Sequence, residues 1–305
     1  MGRLPTRNQS DASKAHRQEN APETLHQFIV MCIDRKSGKP RWEQTVAELV
    51  PHSGHHNDHF YASASPITDG KHVWAHFGSR GTYCLTVKGD LVWKRTDLGL
   101  MVLRGGFGDG SSPALHGDML VIPWDTEDGN SYIIALDKLT GKTRWKKERD
   151  QISSWATPLI VDHGGRTLVI QNGVNFARAY DLKDGKEIWR AAGQTTRPIP
   201  TPIYHDGMVF IGSGHRGSFL GAYKLDGAKG DITGSQNASA IRWPTLLPRG
   251  TRWHHLMCRC QDWQTTLHTE ARAGLKTGLL VSRGGEWPHL HDRPGRDDCG
   301  DQRRT

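Results

Sequence analysis

The stretch ALDKLTGKTRW, Ala135 to Trp145, decides the fold. It reads as the end of an apolar strand, a polar turn closed by Gly141, and a second strand carrying a lone tryptophan. The same text returns with small changes as CIDRKSGKPRW ending at Trp42, CLTVKGDLVW ending at Trp93 and AYDLKDGKEIW ending at Trp189. A looser copy, AYKLDGAKGDITGSQNASAIRW, ends at Trp243. Self-similarity at a fixed spacing is the mark of a repeat architecture.

A second signal runs out of phase with the first. ASASPITDGKHVWAHFG, GSSPALHGDMLVIPWD, SWATPLIVDHGGRTLVIQNG and IPTPIYHDGMVFIGSG each read small residue, proline, apolar residues, turn, apolar strand. Their prolines are Pro66, Pro113, Pro158 and Pro202, a step of 44 to 47 residues. One period holds four short strands: SPIT, then KHVWAHFG after the Asp69-Gly70 turn, then GTYCLTV, then GDLVWKR after the Lys88-Gly89 turn. Four strands in roughly 40–50 residues make one propeller blade, and no window carries a useful helical period. The expected fold is all-β: a β-propeller of four-stranded antiparallel blades, incomplete, with about four to five blades in an open arc and an irregular C-terminal tail. The expected divisions are a disordered segment at 1–25, blades at 26–245 and the tail at 246–305.

The repeated residues read as architecture. Asp34, Asp137 and Asp181 sit where a carboxylate caps the turn between the third and fourth strands. Gly38, Gly89, Gly141 and Gly185 sit where that turn needs positive φ. Trp42, Trp93, Trp145 and Trp189 stand on outer strands, where each indole lies across the neighbouring blade and buries a large aromatic surface.

At these residues the chain resembles the pyrroloquinoline-quinone-like (PQQ-like) propeller repeats of the quinoprotein alcohol dehydrogenase-like superfamily. Ala135–Trp145 matches their tryptophan-docking motif almost letter for letter, and the resemblance covers roughly residues 25–245. It implies the fold more sharply than the activity, because such propellers include quinone-dependent dehydrogenases and non-catalytic envelope proteins alike. By resemblance alone the cofactors in question are PQQ and calcium. The dehydrogenases use a calcium held by Glu and Asn, an Asp base and often adjacent cysteines. This chain has no Cys-Cys pair and no evident Glu/Asn pair.

Composition sets the outer bounds. The chain has 305 residues, 35% hydrophobic, with 35 Gly, 15 Pro and 11 Trp, a turn-rich balance suited to an all-β protein. The formal charge of +8 fits scattered surface Lys and Arg and does not by itself call for nucleic acid. Cys32 and Cys84 lie in apolar strands as core residues, and five cysteines make no disulfide framework. No stretch is long and apolar enough to span a membrane. No secretory signal opens the chain, although relatives are commonly exported. The chain is expected to be a monomer. It opens on a third and fourth strand only, so neither end has a closing partner, and open edges favour aggregation.

After Trp243 the pattern stops. His254, His255, Cys258 and Cys260 invite a zinc reading, but the genetic code offers another. Read one nucleotide later, codons for Trp253 to Gln264 can spell GIISCVDARTGR, the repeat again, and those for Val281 to Thr305 can spell a last blade. The tail from about residue 250 therefore reads as a frameshift product, and Cys258, Cys260 and Cys299 as residues without a selected role.

Three places are candidates for chemistry. PHSGHHNDHF places His52, His55, His56, Asp58 and His59 in one loop, a possible set of metal ligands at a spacing that matches no known zinc motif. The turns between second and third strands carry Arg80 and, two or three blades on, His215 and Arg216. LRGGFGDGSS adds Arg104, Phe107 and Asp109 in a loop entering a first strand. First strands line the central channel, so these loops and Trp155 are expected to meet in a mixed Arg, His and Trp site. The ligand-binding candidates are thus His55, His56, His59, Arg80, Arg104, Trp155 and Arg216. No nucleophile elbow or phosphate-cradling helix start is present. The expected function is a non-catalytic binding or scaffold module with a protein partner or a small ligand, associated with the cell envelope. The alternative is a degenerate relative of the quinone-dependent alcohol dehydrogenases that keeps small-ligand or calcium binding.

Overall fold

The computed structural model describes residues 21–243 except residue 59, and all of these lie in the first of two units, Met1–Leu246. His59 and the tail with its Cys/His cluster lie outside the described residues.

The first element is a hairpin of β1 (His26–Ile33) and β2 (Pro40–Leu49). Then come four antiparallel sheets, each in sequence order from first to last strand. The first holds β3 (Ile67–Thr68), β4 (His72–His76), β5 (Thr82–Thr86) and β6 (Leu91–Arg95). The second holds β7 (Ala114–His116), β8 (Met119–Trp124), β9 (Tyr132–Asp137) and β10 (Thr143–Glu148). The third holds β11 (Leu159–His163), β12 (Arg166–Gln171), β13 (Asn175–Asp181) and β14 (Glu187–Gln194). The fourth holds β15 (Ile203–His205), β16 (Met208–Ser213), β17 (Ser218–Lys224) and β19 (Ala238–Trp243), while β18 (Gly230–Asp231) leaves it to pair with β14 in parallel. This is the expected incomplete propeller of four-stranded blades. Among the described residues no strand pairing joins the β1–β2 hairpin to the last blade.

The cores lie between blades, because a four-stranded sheet buries both faces only against its neighbours. Strand β9 shows how period-2 alternation serves two cores at once. Ile134 and Leu136 pack with Trp74 and Cys84 of the preceding blade, while Ile133 and Ala135 pack with Val169 and Tyr180 of the following one. On the outer strand β10 only Trp145 is buried. Cys84 is fully buried, and burial pushes its thiol up to about 12. Cys32 is half-buried.

The docking motif sets the blade-to-blade contact. Trp42 Nε1 donates to Val87 O at 3.0 Å, Trp93 Nε1 to Lys138 O at 2.8 Å and Trp145 Nε1 to Leu182 O at 2.7 Å. Each indole thus reaches the turn of the next blade, and that turn's glycine lies against its face. A Cβ at Gly141 would stand 2.8 Å from the Trp93 ring, and one at Gly185 2.6 Å from the Trp145 ring. Both glycines also have positive φ, 69° and 72°, so glycine answers two demands at once. The aspartates close the turns: Asp137 Oδ1 accepts from Leu139 N, Thr140 N and Thr140 Oγ1, and Asp34 Oδ1 accepts from Lys36 N, Ser37 N and Ser37 Oγ. Asp181 Oδ1 accepts from Lys183 N. Together with Arg41, the donors of its own turn hold the Asp34 carboxyl down at about 2.

The copy ending at Trp189 departs from the rule. Trp189 is buried against Tyr223, yet its Nε1 has no hydrogen-bond partner among the described residues. In place of a docking turn, the long connection after β17 lays β18 beside Trp189 and buries Ile232.

Candidate functional site

The loops entering first strands and the turns joining second to third strands lie at one end of the blades. Adjacent innermost strands touch, β3 with β7 and β7 with β11, which brings the loops of successive blades side by side. They form a buried layer and an exposed rim.

The buried layer is made of ion pairs. Arg80, in the short 3-10 turn Gly78–Arg80, is 2% exposed and pairs with Asp109. Its Nη2 donates to Ser53 Oγ at 3.2 Å, and its guanidinium lies over the Tyr61 ring. The sequence suggests Arg80 as a ligand-facing group; the structure turns it inward, since a buried guanidinium requires a carboxylate and Asp109 supplies it. In the next blade Asp125 and Arg149 repeat the device at 3.2 Å, with Ser154 Oγ donating to Asp125 at 2.6 Å. Burial raises the Asp125 carboxyl above its ordinary value against the pull of Arg149. His76, also buried, is pushed down to about 4 by burial, against the opposing charge of Asp109. His76, Asp109, Asp125 and Ser154 help line a cavity of about 10 Å³, room for no more than one water.

The histidine loop spreads its rings. His52 Nε2 bonds Met101 O at 2.9 Å, His55 sits edge-on to Tyr61, and His56 sits edge-on to Phe107 with Nδ1 3.4 Å from Asp58. Among the described residues no three His, Cys, Asp or Glu side chains converge as metal ligands.

The rim unites part of the mixed site expected from sequence. Arg104 N donates to Ser153 Oγ at 3.1 Å, and Ser153 Oγ donates to Glu127 at 2.7 Å. Trp155 Nε1 donates to Gly108 O at 2.8 Å, Trp155 N donates to Pro198 O at 3.0 Å, and the Trp155 ring neighbours Phe107. Trp155 thus ties the loop at Gly108 to the β14–β15 connection at Pro198. Arg197, in that connection, is half-buried, and its guanidinium pKa is held below the ordinary arginine value by burial and by the like charges of Arg104 and Arg216, against Glu127. Arg104 and Arg216 are exposed. The structure therefore brings Arg104, Trp155 and Arg216 around Arg197, buries Arg80 against Asp109, and joins the histidine loop to the rim through His56 and Phe107. Sequence reading missed Arg197 because it lies in an irregular connection with no motif around it. Its one local signal is the Thr-Thr-Arg-Pro run before a first strand.

The cavity beside His76 is far too small for a quinone, and the buried carboxylates of Asp109 and Asp125 that line it already face arginines.

The model of the family described as outer membrane protein assembly factor BamB matches residues 27–148 and 129–257. The outer membrane protein assembly factor BamB of Francisella salina is 29% identical over 131 residues, 38% of this chain and 22% of the relative. That of Francisella tularensis subsp. tularensis is 30% identical over 116 residues, 33% of this chain and again 22% of the relative. The matched stretch therefore spans under a quarter of each of these relatives. Among solved structures, BamB from Moraxella catarrhalis is 19% identical and superposes with a TM-score of 0.48 over 66% of this chain and 56% of that one. Quinohemoprotein alcohol dehydrogenase from Comamonas testosteroni is 14% identical, with a TM-score of 0.41 over 58% of this chain and 34% of that one.

Proposed function

The chain belongs to the PQQ-like propeller repeats, in the family described as outer membrane protein assembly factor BamB, and from that premise we propose that it is a non-catalytic scaffold that holds a protein partner in the cell envelope. The observation that carries this reading is the rim: loops from three connections meet on a rigid frame and present arginines to solvent. The buried acids and bases behind the rim neutralise one another, which suits a frame better than proton transfer. An exposed charged face on a rigid scaffold suits recognition of another macromolecule.

The test is a photo-crosslinking residue at exposed His215, introduced into the full chain in its native envelope. Crosslinks to a component of an outer-membrane assembly machinery support the proposal. Calcium-dependent quinone binding with alcohol oxidation by the purified chain would replace it with the dehydrogenase-like alternative.

A further inference from the structure

Three arginines of the rim form no ion pair among the described residues, and the one carboxylate that acts on Arg197, Glu127, opposes the like charges of Arg104 and Arg216. Arg104 lies in the β6–β7 connection, Arg197 in the β14–β15 connection and Arg216 in the β16–β17 turn. The three segments are stitched together by bonds that do not involve the guanidinium groups. Arg104 N donates to Ser153 Oγ, Trp155 N donates to Pro198 O, and Thr195 N donates to Ser213 Oγ at 2.9 Å. The arginines are therefore held near one another by the frame and gain nothing from each other.

Two further features mark the same place. Arg197 and Arg216 both have left-handed backbone, φ 57° and 54°, a conformation that costs a non-glycine residue about 1 kcal/mol. Such strain concentrates at functional positions. The hydroxyl oxygens of Thr195 and Thr196, next to Arg197, are buried without a hydrogen-bond partner among the described residues. The half-buried rings of Phe107 and Trp155 lie with centroids 6.4 Å apart, and Trp155 N bonds Pro198 O in the same connection.

We propose that this rim binds an acidic peptide segment of a partner protein, with Asp or Glu carboxylates taking up the guanidinium groups of Arg104, Arg197 and Arg216 and the peptide lying against Phe107 and Trp155. The inference rests on the scaffold reading and adds the chemistry of the partner. Arg104 and Arg216 are exposed, so a single small anion there gains little against water. A run of carboxylates engages several cations at once, each able to accept a guanidinium fork, and relieves the mutual repulsion around Arg197.

The experiment uses the full chain and fluorescein-labelled hexaglutamate, read by anisotropy, with hexaglutamine as the neutral probe and inorganic phosphate as competitor. Hexaglutamate is expected to bind and hexaglutamine is not, and affinity should fall as salt rises. Arg104→Glu combined with Arg216→Glu should weaken binding by about tenfold or more. Lys94→Glu combined with Lys147→Glu, the same charge change on exposed outer strands, should leave it nearly unchanged. Arg216→Gly guards against misfolding, because glycine suits that backbone; it should weaken binding with an undiminished melting temperature. Equal loss in both double variants would overturn the proposal in favour of general attraction to a basic chain. Displacement by phosphate, with hexaglutamate no tighter than a single carboxylate, would overturn it in favour of a small-anion site. If hexaglutamate fails to bind while the His215 crosslink still lands on an assembly component, the scaffold reading stands and the acidic peptide does not.

Discussion

At the residue scale, the motif glycines and the buried histidine carry distinct burdens. A methyl group at Gly141 meets the Trp93 ring at 2.8 Å and also demands left-handed backbone; at Gly117, φ 53°, the same methyl group meets nothing. Gly141→Ala is therefore expected to cost about 3 kcal/mol, strain plus overpacking, and Gly117→Ala about 1 kcal/mol, strain alone. Denaturant midpoints of the two variants decide it, and equal losses would dismiss the docking role. For His76 the sign follows from protons bound. Its folded value of about 4 lies below the ordinary 6.5, so between these the unfolded chain holds a proton that the folded chain does not. Stability should fall as pH drops from 6.5 towards 4 and flatten below, by up to about 3 kcal/mol. The raised carboxyl of Asp125 contributes the opposite slope. The pH-stability curve of His76→Gln, subtracted from that of the parent, isolates the histidine; identical curves would contradict its burden.

At the element scale, the outer strands are interchangeable in text but not in contact. Trp145 on β10 and Trp189 on β14 are both buried, yet Trp145 Nε1 bonds Leu182 O and Trp189 Nε1 bonds nothing among the described residues. Replacing Trp145 with Phe leaves a buried carbonyl unsatisfied; replacing Trp189 with Phe removes an unsatisfied donor. Trp145→Phe should therefore cost about 1–2 kcal/mol more than Trp189→Phe. Equal losses in urea unfolding would mean that ring area alone sets the docking energy. The difference arises in β18, which takes the place of a docking turn beside Trp189.

At the scale of the whole molecule, cohesion is a chain of nearest-neighbour interfaces, since each core is shared by two blades. The first hairpin has one such interface among the described residues, and Ile29, Met31 and Ile33 of β1 remain exposed on its other face. On the reading of the tail as a frameshift product, sequencing the coding DNA across codons 244–264 is expected to reveal one inserted or missing base that restores the docking motif. An intact frame there would overturn that reading and reopen the tail's Cys/His cluster.

Sequence alone determined the blades. Period-2 alternation, turn glycines and a tryptophan at a steady spacing act locally, and each follows from steric rules that hold wherever the chain lies. The capping aspartates, the strand order and the incomplete propeller were legible for that reason. The rim was only half legible. Arg104, Trp155 and Arg216 stood out by loop and composition, but Arg80 looked the same in text and is buried against Asp109. Arg197 carried no motif at all. Which arginine is neutralised and which faces solvent depends on where a carboxylate from another blade arrives, and Asp109 lies 29 residues from Arg80. Only the tertiary structure decides that, because burial of a charge depends on partners that packing, not local sequence, brings within reach.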